Sequence, residues 1–186
     1  MGNLAWISTA LGAVLLALYG TMFLKPDAAL KAWGRFPRSV RAAWVLTSID
    51  LIWAGALLYD TPLGPVESYK PALFALVPIA IVLLVRFVDE LLAARALGGL
   101  LILIPAPILD AARWHPSPWR LFIIVLCYIM VIKGVVLVLA PYVVRKGLVV
   151  WSSGSSPRSR MRIALAIGMV VAVALIGLGL TVYRVS

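Results

Sequence analysis

Two charged residues lie in the middle of long apolar stretches, where they could bind a proton or a cation. Asp50 follows Thr47 by three residues, and Lys133 directly precedes Gly134. A charge at the centre of a membrane helix costs roughly 2.5–3.5 kcal/mol on insertion scales, so such a residue usually has a partner or a function. In one interpretation Asp50 and Lys133 form a buried ion pair, or Asp50 relays a proton or cation. In the other, which the small number of such residues favours, Asp50 contacts nearby hydroxyls or a partner subunit, and Lys133 extends its ammonium group toward the membrane surface.

The other residue types that often do chemistry form no catalytic or metal-binding pattern. His115 is the single histidine and Cys127 the single cysteine, which excludes an intrachain disulfide and a site built from several such residues. Asp89 and Glu90 are adjacent, and adjacent residues on a helix do not face each other. His115 lies between tryptophans and prolines in the segment Arg113–Arg120, which is typical of an interfacial loop. We therefore predict no enzyme activity, no cofactor and no metal site.

The composition indicates a protein embedded in a membrane. Among the 186 residues, 63% are hydrophobic and 13% are charged, whereas soluble domains carry roughly 25% charged residues. The mean hydropathy is +1.06. One small core cannot bury so much apolar surface, so the excess must face lipid. The composition excludes a soluble enzyme, a nucleic-acid-binding domain and a disordered tail.

Six apolar stretches reach or approach the roughly 20 residues that a helix needs to cross a bilayer. None shows the alternation of a barrel strand. We therefore predict a single all-α domain over residues 1–186, a polytopic bundle of about six transmembrane helices in three hairpins. We expect the first stretch to be retained as a span, because no basic region precedes it. The six stretches are Leu4–Leu24, Ala42–Tyr59, Pro71–Val88, Leu91–Leu109, Leu121–Val144 and Ile163–Tyr183.

The third and fourth stretches form one apolar run, residues 71–109, which is about twice the length of a bilayer crossing. We predict that the chain turns near the charged segment Phe87–Glu90, which would make a tight helical hairpin. The alternative is that Pro71–Val88 is re-entrant, because Pro78 interrupts an already short span.

Prolines and glycines indicate where helices are broken or closely packed. Pro105 and Pro107 are expected to break or kink the fourth span near its outer end. The segments Gly98-Gly99 and Gly177-Leu178-Gly179, together with Gly168, would permit two helices to approach closely. These residues predict packing or gating contacts inside the bundle.

Aromatic side chains are found at the predicted ends of the spans, where Trp and Tyr commonly lie at the level of lipid headgroups. We expect these residues to anchor the protein in the two membrane interfaces. At the outer ends they are Trp6, Tyr59, Tyr69, Trp114, Trp119 and Tyr183, and at the inner ends Trp33, Tyr142 and Trp151.

Positive charge is concentrated in two loops, which accounts for most of the net charge of +10. The segment Lys25–Arg41 has five basic residues and one acid, and Arg145–Arg162 has five basic residues and no acid. Six spans place both loops on one side, and the positive-inside rule makes that side cytoplasmic and both termini non-cytoplasmic. We predict an integral protein of the bacterial cytoplasmic (inner) membrane. Contacts with lipid headgroups are expected from Trp33, Arg35, Arg38, Arg41, Arg145, Lys146, Arg158 and Arg160.

Small size, short loops and the absence of a catalytic pattern favour a structural or accessory subunit of a larger membrane protein complex, without catalysis of its own. Its expected partners are the lipid bilayer and other membrane protein subunits, and not nucleic acid. The alternative is a small permease or proton-coupled carrier that uses Asp50 and Lys133. A third hypothesis is a membrane enzyme that acts on a lipid or quinone near His115.

Overall fold

The computed structural model describes residues 3–62, 64–87, 91–142, 146 and 157–184, and all regular secondary structure in this part of the chain is helical. This confirms the all-α prediction. Two 3-10 helices, Phe36–Arg38 and Gly64–Tyr69, lie in the connections. The α-helices, numbered in chain order, are α1 (Asn3–Leu24), α2 (Pro26–Arg35), α3 (Val40–Asp60), α4 (Lys70–Phe87), α5 (Leu92–Leu103), α6 (Pro105–Arg113), α7 (Arg120–Leu139) and α8 (Pro157–Leu180).

Five helical stretches in the described residues are long and apolar enough to cross a membrane, which is compatible with an integral membrane protein. Four of them are α1, α3, α7 and α8, and the fifth, Leu92–Arg113, covers α5 and α6. Helix α4 is not among the five, and the described residues give a shorter apolar helix there, Phe74–Phe87. Large apolar side chains are exposed on α1, α3, α4, α7 and α8, as expected of surfaces that face hydrocarbon.

Local sequence signals set several helix boundaries. Helix α3 begins after Ser39, whose Oγ accepts a hydrogen bond from the Ala42 N–H at 3.3 Å. Leu91 has a left-handed φ of 59° immediately before α5, and the predicted turn at Phe87–Glu90 lies beyond Phe87 outside the described residues. Helix α6 begins at Pro105, which has no N–H to donate to the preceding turn, and the helical run is interrupted at Ile104. Ile104 itself keeps helical angles (φ −55°, ψ −42°), and α5 and α6 together form one candidate span, so Pro105 interrupts the helical hydrogen bonding and the predicted kink stays a prediction.

Helices α1 and α8 pack antiparallel along most of their length. Ser8 Oγ donates a buried hydrogen bond to the Leu175 carbonyl oxygen at 2.8 Å. A Cβ at Gly12 would lie 2.8 Å from a backbone oxygen of α8, and a Cβ at Gly168 would lie 2.7 Å from the ring of Tyr19. Small residues thus permit the close approach of these two helices, as predicted for Gly168.

Helix α5 lies between α3 and α7. On one side, Gly98 meets Gly134 of α7, and a Cβ on either glycine would lie 2.7 Å from the carbonyl oxygen of the other. On the other side, Gly99 meets a side chain of α3. The Gly98-Gly99 pair therefore makes two different close contacts, one with each neighbouring helix.

Helix α4 runs antiparallel to α3 and connects the end of α3 to the start of α5. At one end of this pair, the rings of Tyr59 and Phe74 pack edge to face with 5.4 Å between their centroids. At the other end, Val85 lies in a buried cluster with Ala43 and Ala93. Ala43 and Ala93 lie near the N-terminal ends of α3 and α5, so these two helices run in the same direction. Helix α4, which lies between them in the sequence, runs in the opposite direction.

Candidate functional site

Asp50 lies partly buried at the interface of α3 and α5. Its carboxyl group packs directly against Gly99, because a Cβ on this glycine would lie 2.7 Å from Oδ2 and 3.2 Å from Cγ. Oδ1 is buried and has no hydrogen-bond partner within the described part of the chain. A larger residue at position 99 would occupy the space of the carboxyl group. Gly99 therefore makes the room that Asp50 occupies.

A second unpaired oxygen lies one helical turn before Asp50. Thr47 is 4% exposed, and its Oγ1 has no hydrogen-bond partner among the described residues. Residues three apart on a helix share a face, so Thr47 and Asp50 point to the same side of α3. A buried polar group without a partner costs about 1–3 kcal/mol in a protein, and several kcal/mol in hydrocarbon. These two side chains are therefore candidates for binding a hydrogen-bond donor or a positively charged ligand.

Lys133 is exposed on α7 and forms no ion pair with any residue that the structure describes. Its neighbour Gly134 packs against Gly98, and successive residues on a helix are about 100° apart, so Lys133 lies outside the contact between α5 and α7. Asp50 contacts α5 at Gly99, the residue after Gly98 and therefore about 100° around the helix from the contact with α7. Asp50 and Lys133 therefore do not form the predicted ion pair in this structure. The contact of either residue with a partner stays a prediction.

The predicted headgroup residues that the structure describes gather at one end of the bundle. Arg158 at the start of α8 pairs with Asp27 at the start of α2, with 2.7 Å between Nε and Oδ1. Both basic segments of the chain therefore lie at the same end, and contact with lipid headgroups stays a prediction. The exposed members of the set are Arg35, Arg41, Lys146, Arg158 and Arg160. Outside the described part are the residue Arg145 and the side chains of Trp33 and Arg38.

A buried aromatic pair, His115 and Tyr183, lies at the opposite end of the bundle. Tyr183 is fully buried, and its hydroxyl donates a hydrogen bond to the Trp119 carbonyl oxygen at 2.8 Å. Burial raises the pKa of Tyr183. Its ring packs edge to face against His115, whose Nδ1 accepts a hydrogen bond from the Ser117 N–H at 3.2 Å. The expectation that Tyr183 anchors in the headgroups is wrong, because its hydroxyl has an acceptor inside the bundle.

The sequence singles out Asp50 and Thr47 but does not reveal what allows a carboxyl group to lie at a helix interface. The signal is the Gly98-Gly99 pair, and its second member accommodates Asp50 only because α3 and α5 are paired in this register. Within the described residues, no group of three or more His, Cys, Asp or Glu could hold a metal ion. Asp50 and Thr47 can bind a proton or a small hydrogen-bond donor between α3 and α5. Lys133 is a cation on the exposed surface of α7. No protein-family model, curated protein or solved structure matches this chain.

Proposed function

We propose that the chain is a structural or accessory subunit of a larger membrane protein complex, without catalysis of its own, and that α7 contacts its partner. The observation that carries this proposal is Lys133, an exposed cation within an apolar helix. With a rise of about 1.5 Å per residue, Lys133 lies about 20 Å from the start of α7 and about 9 Å from its end. A charge at this depth is costly in lipid, and a polar group on a neighbouring protein would neutralise it.

The direction of the Lys133 side chain argues against a purely lipid-facing role. Side chains on an α-helix tilt toward its N-terminus, so the stem of Lys133 leaves α7 toward Arg120 and away from the nearer end at Leu139. To reach the nearer surface, the ammonium group would have to fold back along the helix. With a carboxylate on a partner helix at the same depth, the ammonium group would not have to fold back, and it would form a charge-assisted hydrogen bond.

A stripe of apolar side chains surrounds Lys133 on the outer surface of α7. This α7 stripe consists of Val125, Ile129, Ile132 and Val136, which are 40–63% exposed and follow the spacing of one helix face. A helix of another protein could pack along it. A second copy of the chain is not the occupant that we propose, because two Lys133 ammonium groups would repel each other at low dielectric constant.

Photocrosslinking in the native membrane tests this proposal. The photoreactive residue p-benzoylphenylalanine replaces Ile132 on the α7 stripe, and the controls carry it at Leu83 of α4 or Val173 of α8, where apolar surface is comparably exposed. We expect an adduct with another membrane protein from position 132 alone, and Lys133→Met should abolish it. Equal adducts at all three positions, or adducts with a second copy only, would overturn the proposal.

We also propose six membrane crossings in three helical hairpins, with both termini on the non-cytoplasmic side of a bacterial inner membrane. The common direction of α3 and α5 supports this count, because α4 has to return the chain over the same depth. With 18 residues, α4 has about 27 Å of helix, which is close to the roughly 30 Å of hydrocarbon. The antiparallel pairing of α1 and α8 supports termini on one side, and the positive-inside rule makes the end with the Asp27–Arg158 pair cytoplasmic.

Labelling of single cysteines with a membrane-impermeant maleimide tests this topology. The background is Cys127→Ser, since Cys127 is the only natural cysteine. We expect Ser68→Cys, between α3 and α4, to react in intact cells, and Ser159→Cys, near the start of α8, to react only after permeabilisation. Reaction of both positions from the same side would contradict six crossings.

The alternative function is a small permease or proton-coupled carrier, which the unpaired oxygens of Asp50 and Thr47 favour. Lys133, the other residue of this hypothesis, does not contact Asp50 in this structure, so only the α3–α5 interface supports it. A carrier predicts that Asp50→Asn abolishes proton or solute flux into liposomes while the protein stays folded. Unchanged flux, combined with loss of the partner adduct in Lys133→Met, would exclude the carrier and support the subunit.

A further inference from the structure

We propose that Asp50 and Thr47 form a proton-binding site at the interface of α3 and α5, in which Gly99 makes room for the carboxyl group. Such a site exists independently of any partner of α7, and it would supply the ion that the carrier alternative needs. Asp50 Oδ1 and Thr47 Oγ1 are both buried and have no hydrogen-bond partner among the described residues. Asp50 is partly buried and lies in the middle of α3.

No cation of the described helices neutralises Asp50. Helices α4 and α5 pack against α3, and α7 packs against α5. None of the titratable or charged side chains described on these four helices forms an ion pair or hydrogen bond with Asp50. They are Arg41 and Tyr59 on α3, Lys70 and Arg86 on α4, Arg95 on α5, and Arg120, Cys127, Tyr128 and Lys133 on α7, and the side chain of Asp60 lies outside the described part.

The number of oxygen atoms favours a proton over a metal cation. The site offers two carboxyl oxygens and one hydroxyl, whereas Ca²⁺ takes roughly 6–8 oxygen ligands and Mg²⁺ requires about six. The backbone carbonyls in the interior of α3 and α5 are engaged in helical hydrogen bonds. A proton needs one oxygen that holds it and one that accepts it, and a hydroxyl can accept as well as donate. Asp50 Oδ1 and Thr47 Oγ1 are not hydrogen-bonded to each other in this structure, so the carboxyl group holds the proton and the Thr47 hydroxyl is the nearby polar group that the proposal assigns as its acceptor.

A hydrophobic carbodiimide, dicyclohexylcarbodiimide, tests the site in the full-length chain reconstituted in liposomes. The acid form of a carboxyl group adds its O–H across a C=N bond of the reagent, and the resulting O-acylisourea rearranges to a stable N-acylurea that retains every atom of both reactants. Mass spectrometry of peptides identifies the modified residue. We expect Asp50 to be labelled, the labelling to fall as the pH rises, and Asp50→Asn to remove it. Asp110 is exposed and is the internal control, because a water-soluble carbodiimide should modify Asp110 and not Asp50.

Substitutions of the neighbouring residues test the composition of the site. Gly99→Ala introduces a methyl group 2.7 Å from Oδ2 and should shift the pH of half-maximal labelling. The matched control on α3 is Gly55→Ala, whose Cβ would meet only Val77 Cγ2 at 3.4 Å, so it should leave that pH unchanged. Thr47→Val should also shift the pH of half-maximal labelling, and Thr47→Ser should restore it. An unchanged pH profile in Thr47→Val would remove Thr47 from the site.

Three outcomes would overturn the proton-binding site. The first is a folded protein in which Asp50 is not labelled at any pH. The second is labelling that does not depend on pH, which indicates a permanently protonated structural carboxyl. The third is protection by Na⁺ at constant pH, which indicates a metal cation. Labelling that depends on pH without proton flux would overturn the carrier alternative and support the binding site alone.

Discussion

Gly98→Ala tests the helix arrangement that positions both Asp50 and Lys133. A Cβ at Gly98 would lie 2.7 Å from the Gly134 carbonyl oxygen, whereas ordinary van der Waals contact begins at 3.4 Å. That oxygen belongs to the backbone and cannot rotate away, so α5 and α7 have to separate. Insertion of a methyl group into a packed interface costs about 1–3 kcal/mol.

Gly177→Ala is the matched control, because no atom of a neighbouring helix lies within 4 Å of a Cβ at this position of α8. Both substitutions gain about 1 kcal/mol of helix propensity, so the difference between their unfolding free energies isolates the packing term. We expect Gly98→Ala to be about 1–3 kcal/mol less stable than Gly177→Ala. The assay is reversible unfolding in mixed detergent micelles, followed by circular dichroism. Equal stability of the two variants would refute the close contact of α5 with α7, and with it the outward position of Lys133.

Three further substitutions are expected to change stability in the same micelle assay. Ser8→Ala removes the buried hydrogen bond to Leu175 and should cost about 0.5–1.5 kcal/mol, and no loss would mean that α1 and α8 do not meet there. Tyr183→Phe removes the hydrogen bond to Trp119 and should cost a similar amount. Because burial raises the pKa of Tyr183 above its unfolded value, the native state should lose stability above about pH 10, and a loss of equal size in Tyr183→Phe would contradict this cause. Arg158→Ala breaks an ion pair whose side chains are 71% and 57% exposed, so it should change the unfolding free energy by less than about 0.5 kcal/mol, and a larger change would show that the pair holds α2 to α8.

The sequence predicts the helical fold because hydropathy alone locates long apolar helices. It also predicts the interrupted hydrogen bonding at Pro105, since a missing N–H is a local property of the residue. The rotation of each helix about its own axis is not predictable in this way. A helix that is apolar on every side has no polar face that marks its outside. Asp50 and Lys133 are therefore equally central in the sequence, although Asp50 contacts α5 and Lys133 is exposed on α7 in the structure.

The candidate site depends on contacts between residues that are distant in the sequence. The Gly98-Gly99 pair predicts close packing, but glycine does not specify which neighbour approaches it, so the contact with Asp50 is not predictable from the pair. Tyr183 has the same difficulty. Its place at the end of an apolar stretch is typical of an interfacial anchor, whereas its hydroxyl donates to the carbonyl of Trp119, which is 64 residues away.

The mass of the particle that mild detergent extracts from the native membrane tests the subunit function most directly. The chain itself has a mass of 20.1 kDa. We expect the wild-type chain to be extracted in a larger particle with at least one other protein, and Lys133→Met to be extracted as the free 20.1 kDa chain. Lys146→Met removes an exposed lysine beyond the end of α7 and should leave the particle intact. A wild-type chain that is extracted folded, alone or only with copies of itself, would contradict the subunit function.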